Sequence, residues 1–365
     1  MIAEIPAMVS AHSHAFQRDL RGVGERREGD FWSWREPMYR LAGSLDPDSM
    51  RDVARRCYAE MATAGYGAVG EFHYVHHRPD GKPYEEPNAM ALAVAGAARD
   101  VGLACVLLPA AYNRAGWNRP PEPGQRRFCD ADVDAFLARV DALRAAHPAT
   151  GVAAHSVRAV PAGWLRDIAA YADARGMVLH VHAHEQPREI QECEAEHGCS
   201  PIELLHRTGF LGPRTSVVHG THVTARDIAL LAETGTTVVV CPLTEGNLGD
   251  GHPPLLAYRD AGVPLAIGSD SNVVLDPFEE VRELETLARR EGRTRQALFA
   301  SWGDLWGELA RAGERSVGAR AGTVGIDLDH PRLRGVAEAD LPAALATCAG
   351  AAVVSGRAGS GGSTG

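Results

Sequence analysis

Residues 7–14 read AMVSAHSH and residues 264–272 read PLAIGSDSN. Each is a short apolar run, as expected of a strand buried on both faces, and each gives way to metal-ligand chemistry at its C-terminal end: His12 and His14 in the first, Asp270 in the second. Two further runs end in the same way, MVLHVHAHE at 177–185 with His182 and TSVVHGTH at 215–222 with His219. Alternation along a strand puts residues i and i+2 on one face, so His12 and His14 can converge on one ion while Ser13 points away. Imidazole and carboxylate suit zinc and its neighbours, and a catalytic site uses them while leaving a coordination position for water. Any one of the sixteen histidines is ordinarily a core or surface residue. Ligand-bearing residues at four strand ends together point to a mononuclear metallohydrolase.

Working outward, eight apolar runs rich in Val, Ala, Leu and Ile lie near 7–11, 67–72, 103–110, 151–155, 177–182, 215–219, 236–241 and 264–268. The stretches between them have helical period, the pattern of repeated βα units around a parallel sheet. Residues 164–174 place Leu165, Ile168, Ala169 and Ala172 on one stripe and stop before Gly176. Residues 224–233 open on a Thr able to cap the helix, and Asp276, Pro277, Glu279 and Glu280 open another. The candidate ligands fall at the ends of strands one, five, six and eight. An open sheet has no reason to bring strands one and eight together, whereas closure into a (β/α)8 TIM barrel makes them neighbours, with the active site at the C-terminal ends of the strands.

Composition narrows the class. The chain has 365 residues, enough for a barrel of about 250 residues with additions. A net charge of -10 argues against a nucleic-acid binder, since phosphate backbones are held by clustered basic residues. No apolar run approaches the ~20 residues of a membrane helix, and the opening MIAEIPAM lacks the regions of a signal peptide, so a cytoplasmic protein away from membranes is expected. Seven cysteines with no CxxC pair fit neither a disulfide framework nor a cysteine-rich zinc site. Lys82 is the only lysine and sits in a polar loop, so neither a Schiff-base mechanism nor a two-metal site bridged by a carboxylated lysine has its residue at a strand end.

Longer strings are more specific. HSHAFQR at 12–18, FWSWREPMYR at 31–40, EFHYVHH at 71–77, HSVRAVP at 155–161, HVHAHEQ at 180–186, VHGTH at 218–222, CPLTEGNLGDG at 241–251 and GSDSN at 268–272 resemble the amidohydrolase superfamily. Within it they are most similar to the deiminases that release ammonia from N-formimino-L-glutamate during histidine degradation. The resemblance runs over roughly residues 8–276 and again over DLDHPRLRG near the end. It implies one divalent metal ion, zinc, held by His12, His14, His182 and Asp270, and it selects His182 over His180 and His184 through the HxxE spacing to Glu185. It further implies Glu185 as proton carrier, His219 as the group that polarises substrate or water, and Asp270 as the base. Gln17, Arg35, Tyr74, His155 and Arg158 match positions that hold the glutamyl portion. The chemistry agrees: a dicarboxylate needs guanidinium groups, and loss of ammonia from a formimino carbon needs an acid, a base and an activated water.

The same resemblance implies an amidohydrolase-type barrel over 1–310, a residual accessory β/helical segment over 311–350 and a flexible tail over 351–365. The family's accessory β-sandwich draws on residues before the first barrel strand. Only about six are present here, so a truncated sandwich is expected, its GTVGIDLD strand left without a partner and open to a homodimer contact. Three other readings stand beside this one. They are a zinc aminohydrolase for a purine, pyrimidine or guanidino compound, an enzyme using Cys241 as a covalent nucleophile, and a truncated barrel that binds without turnover.

Overall fold

The computed structural model describes residues 1–23 and 31–357. Eight strands form one parallel sheet in chain order: β2 (Met8–Ser13), β3 (Tyr66–His73), β4 (Ala104–Ala111), β5 (Val152–Ser156), β6 (Leu179–Ala183), β7 (Thr215–His219), β8 (Thr237–Val240) and β9 (Leu265–Ile267). Nearly every residue of these strands is buried, which explains why they read as continuous apolar runs rather than as alternating ones. Helices follow the strands as expected. Ala162–Ala174 carries the Leu165/Ile168/Ala169/Ala172 stripe, Ala225–Thr234 is capped by Thr224, and Pro277–Gly292 is capped by Asp276.

Closure occurs between β2 and β9. Ser13 and Asp270 form a parallel bridge; the Asp270 amide donates to the His12 carbonyl at 3.0 Å, and the His14 amide donates to the Asp270 carbonyl at 2.9 Å. Gly268 permits this approach, because a Cβ there would lie 2.9 Å from both the Cys241 Sγ and the His12 Cβ. The helix Trp302–Val317 packs against β2 and β9 along the seam, and its Trp306 indole donates to the Pro6 carbonyl. The barrel boundary expected at residue 310 falls inside this helix, which runs on to Val317.

Outside the barrel, the expected unpaired strand is corrected. The opening residues form β1 (Ile2–Pro6), which pairs antiparallel with β10 (Thr323–Asp327), and β10 pairs on its other side with β11 (Val354–Arg357). The GTVGIDLD strand is thus the centre of a three-stranded sheet. Its amides and carbonyls are used within the chain, which removes the reason given for a dimer contact there. The tail expected from 351 is ordered at its start, as the turn Ala351–Val353 and β11; residues 358–365 lie outside the described residues. Among the described residues no helix is long and apolar enough to cross a membrane.

Candidate active site

The strand ends bring four ligand groups to one point. His12 Nε2 lies 3.2 Å from His14 Nε2, 3.0 Å from His182 Nε2 and 3.3 Å from Asp270 Oδ1, and His14 Nε2 lies 3.5 Å from Asp270 Oδ1. Ligands about 2.0–2.1 Å from a tetrahedral ion are separated by about 3.3 Å, so the side chains as folded match the edges of such a polyhedron. The outer nitrogens fix the imidazoles: His14 Nδ1 is 2.8 Å from the Phe72 carbonyl and His182 Nδ1 is 2.9 Å from the His155 carbonyl. A carbonyl can only accept, so these Nδ1 atoms carry the protons and each Nε2 turns a lone pair inward. Burial, reinforced by the neighbouring imidazoles, holds His12 and His182 well below the usual histidine range, keeping them neutral and able to ligate. The donor set fits one divalent cation.

His180 and His184, which strand geometry alone leaves open as ligands, are engaged elsewhere. His180 Nε2 meets the Ser316 carbonyl at 2.8 Å, and His184 Nδ1 meets the His222 carbonyl at 2.9 Å. Cys241 Sγ lies within 4.8 Å of ligand atoms of His219 and Asp270, but the thiol is fully buried. Burial pushes it well above the usual cysteine range, so it stays a thiol rather than a nucleophilic thiolate.

Beside the ligand group stand Glu185 and His219, with Glu185 Oε1 3.6 Å from His219 Nε2. The other ring nitrogen of His219 lies 3.3 Å from Glu245 Oε1, a carboxylate that also accepts from the Cys241 amide at 2.9 Å. Burial opposes charge on His219, but Glu185, Glu245 and Asp270 outweigh it and raise the imidazole to about 10. Burial likewise pushes the Glu185 carboxyl up to about 8, against the pull of His219. The two groups act on each other: the Glu185 carboxylate is the first of the charges that favour protonated His219, protonated His219 pulls Glu185 down, and Glu245 gives His219 a second counter-ion at its other ring nitrogen. Glu245 was not singled out by the sequence, although it lies within the quoted CPLTEGNLGDG string.

Two of these residues are held in the left-handed backbone region that favours glycine, His219 at φ 74° and Asp270 at φ 43°. Such conformations cost roughly 1–3 kcal/mol each and persist where the surroundings impose them. For Asp270 the surroundings are visible: the Asn272 amide donates to the carbonyls of His14 at 2.9 Å and Asp270 at 3.0 Å, clamping the turn to the first strand.

A cavity opens over this group. Gln17, Arg35, Tyr74, His155 and Arg158 all line it together with His14, His182, Glu185, His219 and Asp270, so every site residue expected from the sequence faces one space except His12, which lies beneath. Gln17 Nε2 donates to the Tyr74 hydroxyl at 2.9 Å. The guanidinium of Arg35 donates to the Tyr39 hydroxyl, and that of Arg158 donates to the Ala115 carbonyl at 3.3 Å. Among the described residues neither arginine forms an ion pair, although both line the cavity. Aromatic lining residues not foreseen are Tyr39, Tyr112 and Phe128. Tyr39 lies four residues after Arg35 on the helix Phe31–Ser44, a spacing that could have signalled it.

Comparison with known proteins places the chain in a family. The profile of the Amidohydrolase family matches residues 4–300. Formimidoylglutamate deiminase of Pseudomonas aeruginosa is 38% identical over 305 residues, covering 81% of this chain and 67% of that protein. The crystal structure of an amidohydrolase from Brucella melitensis superposes with a TM-score of 0.87 at 32% identity, over 96% of this chain and 84% of that one. An adenosine deaminase from Xanthomonas campestris with bound zinc superposes with a TM-score of 0.82 at 25% identity, over 97% of this chain and 78% of that one.

Proposed function

This chain belongs to the amidohydrolase family, and from that premise we propose that it hydrolyses N-formimino-L-glutamate to N-formyl-L-glutamate and ammonia, a step of histidine degradation. The observation that carries this reading is the pair of guanidiniums, Arg35 and Arg158, lining the same cavity as the ligand group without an ion-pair partner among the described residues. A substrate with two carboxylates supplies the missing counter-charge, through the charge-assisted bonds that arginine forms with carboxylates.

His12, His14, His182 and Asp270 would hold one divalent ion, zinc by the softness and number of the donors. When bound, such an ion supplies Lewis acidity, lowering the pKa of water from about 15.7 towards 7. The chain's own groups do the rest. Asp270 accepts a proton from the attacking water as its oxygen bonds to the formimino carbon. His219, oriented by Glu245, donates from Nε2 to the charge that develops at the tetrahedral centre. Glu185 delivers its proton to the imine nitrogen as the tetrahedral centre forms; collapse of that centre to the formyl carbonyl passes its hydroxyl proton to the same nitrogen, so the C–N bond breaks with release of ammonia rather than amide ion, and the proton taken by Asp270 restores Glu185. Gln17, Tyr74 and His155 line the space between these groups and the arginines and orient the glutamyl portion.

A second reading, deamination of a purine nucleoside, is favoured by the aromatic lining of Phe31, Trp34, Tyr39 and Tyr74, on which a base could stack. Comparative turnover separates the two. We expect ammonia from N-formimino-L-glutamate and none from adenosine or S-adenosylhomocysteine, with close to one zinc per chain by metal analysis. The reverse preference would replace the first reading by the second.

A further inference from the structure

Gln125 is fully buried in the short helical turn Pro123–Phe128, yet its amide makes three hydrogen bonds. Its Oε1 accepts from the backbone amide of Glu122 at 2.8 Å, while its Nε2 donates to the Tyr112 hydroxyl at 2.8 Å and to the Tyr39 hydroxyl at 3.0 Å. The orientation is forced, because a backbone N–H can only donate, so the oxygen must face Glu122 and the NH2 must face the tyrosines. The Tyr39 oxygen accepts a second bond from Arg35, and the Tyr112 phenol interacts electrostatically with the Arg158 guanidinium. A phenol offers two lone pairs and one proton. With both its lone pairs filled, the Tyr39 hydroxyl must donate its proton; the Tyr112 hydroxyl, which accepts from Gln125 and faces the Arg158 cation, has its proton turned away from both, and neither hydroxyl has a protein acceptor for its proton among the described residues. Burial foremost pushes Tyr39 up to about 12, so that proton is present at neutral pH. Both tyrosines line the cavity.

We propose that Gln125 sets the polarity of the anion subsite: by donating to both phenols it obliges Tyr39 and Tyr112 to donate to a substrate carboxylate, beside Arg35 and Arg158. Gln125 is a positioning residue and does not touch substrate, while Tyr39 and Tyr112 determine specificity. This rests on the dicarboxylate reading above and adds the reason a neutral or cationic group is refused at that end of the cavity. Two hydroxyl protons and two guanidiniums leave it nothing to donate to. Glu189, which is attracted to Arg158, does not fill the subsite; burial pushes its carboxyl up to about 7 and it forms no ion pair with the arginine.

The test is the zinc-loaded full chain, assayed with N-formimino-L-glutamate and with glutarate as a competitive probe. Gln125→Glu keeps the shape and the bond from Glu122 but turns the donor to the phenols into an acceptor, drawing both hydroxyl protons away from the cavity. We expect KM for the substrate and the inhibition constant of glutarate to rise together by about 30-fold or more, with kcat within about threefold. Tyr39→Phe and Tyr112→Phe should each raise both constants about tenfold, and they decide the matter if the Gln125 variant does not fold. Unchanged KM and glutarate inhibition in these variants, or a loss of kcat and Tm at constant KM, would show a purely structural role and overturn the inference alone. Wild-type protein that neither turns over the substrate nor binds glutarate would overturn the dicarboxylate reading and this inference with it.

Discussion

Asp270 and Ser13 are joined by the parallel bridge that closes the barrel, so the carboxylate of the ligand group is carried by a residue whose backbone seals the seam. The two duties use different atoms, since the seam is held by the Asp270 amide and carbonyl and the ligand group by its Oδ1.

Those duties can be separated. Asparagine is among the few residues that tolerate the left-handed conformation Asp270 adopts, so Asp270→Asn keeps the seam while removing the charge. We expect Tm to stay within a few degrees of wild type, metal content to fall well below one ion per chain, and turnover to drop on the order of 10²–10⁴-fold. A variant that lost its fold along with its metal would show that the charge itself, rather than the backbone, holds the seam.

Glu185 must carry a proton to act as the acid, and burial pushes its carboxyl up to about 8. The sign follows directly: the competent form is present below that value and is lost as pH rises through it. The kcat profile should therefore show a descending limb near pH 8. Glu185→Gln should lower kcat about 10²–10⁴-fold at pH 7, leave KM and zinc content nearly unchanged, and flatten that limb. A limb of the same position in the glutamine variant would assign it to another group.

Much of this site was legible in the sequence because parallel strands buried on both faces leave continuous apolar runs, and because ligands at their ends interrupt those runs abruptly. All eight barrel strands appear near the expected places, and His12, His14 and His182 come together at their ends with Asp270 beside His12 and His14. The β1–β10 pairing was not legible. IAEIP is five residues of weak alternation at a chain end, and nothing local says that its partner lies more than three hundred positions away. Gln125 was equally hidden, since its meaning comes from Tyr39 and Tyr112 arriving from two other segments.

Glu71 supplies a stability prediction. Its buried carboxyl accepts from the Ala15 amide at 2.8 Å, and burial pushes it up to about 8 from an ordinary value of 4.5. The folded state therefore binds a proton more tightly than the unfolded chain. The stability this contributes is complete below about 4.5 and is lost as pH rises through about 8. Glu71→Gln resembles the neutral acid at every pH and keeps the acceptor for Ala15. Its Tm should exceed that of wild type by roughly 3 °C or more at pH 8.5 and match it near pH 5. Thermal melts across that range check it, and a difference independent of pH would contradict the assignment.

Arg35 and Arg158 should act on binding rather than on chemistry. Arg35→Met and Arg158→Met each remove one guanidinium and keep much of the side-chain volume. KM for N-formimino-L-glutamate should rise about 10- to 100-fold in either, with kcat falling far less. Because both contact tyrosines tied to Gln125, the double variant should lose less than the product of the single losses. Steady-state kinetics of the three variants decides it. A full multiplicative loss would show two independent carboxylate contacts.

Removing the metal and removing the thiol should have opposite outcomes. His12 Nε2 lies 3.0–3.3 Å from the ligand atoms of His14, His182 and Asp270, an arrangement of inward-facing lone pairs and a carboxylate that a cation stabilises. Cys241, by contrast, is a fully buried thiol held well above its ordinary range by burial, absent from the residues lining the cavity and packed against the site where Gly268 passes. Dialysis against a chelator should abolish turnover, and added zinc should restore it. Cys241→Ala should keep most of the activity and lose some stability, about 1 kcal/mol or somewhat more for the small cavity it leaves. Because the serine variant would bury a hydroxyl needing a partner, alanine is the cleaner replacement. Activity that survives chelation but vanishes in Cys241→Ala would reverse the assignment and make the thiol the nucleophile.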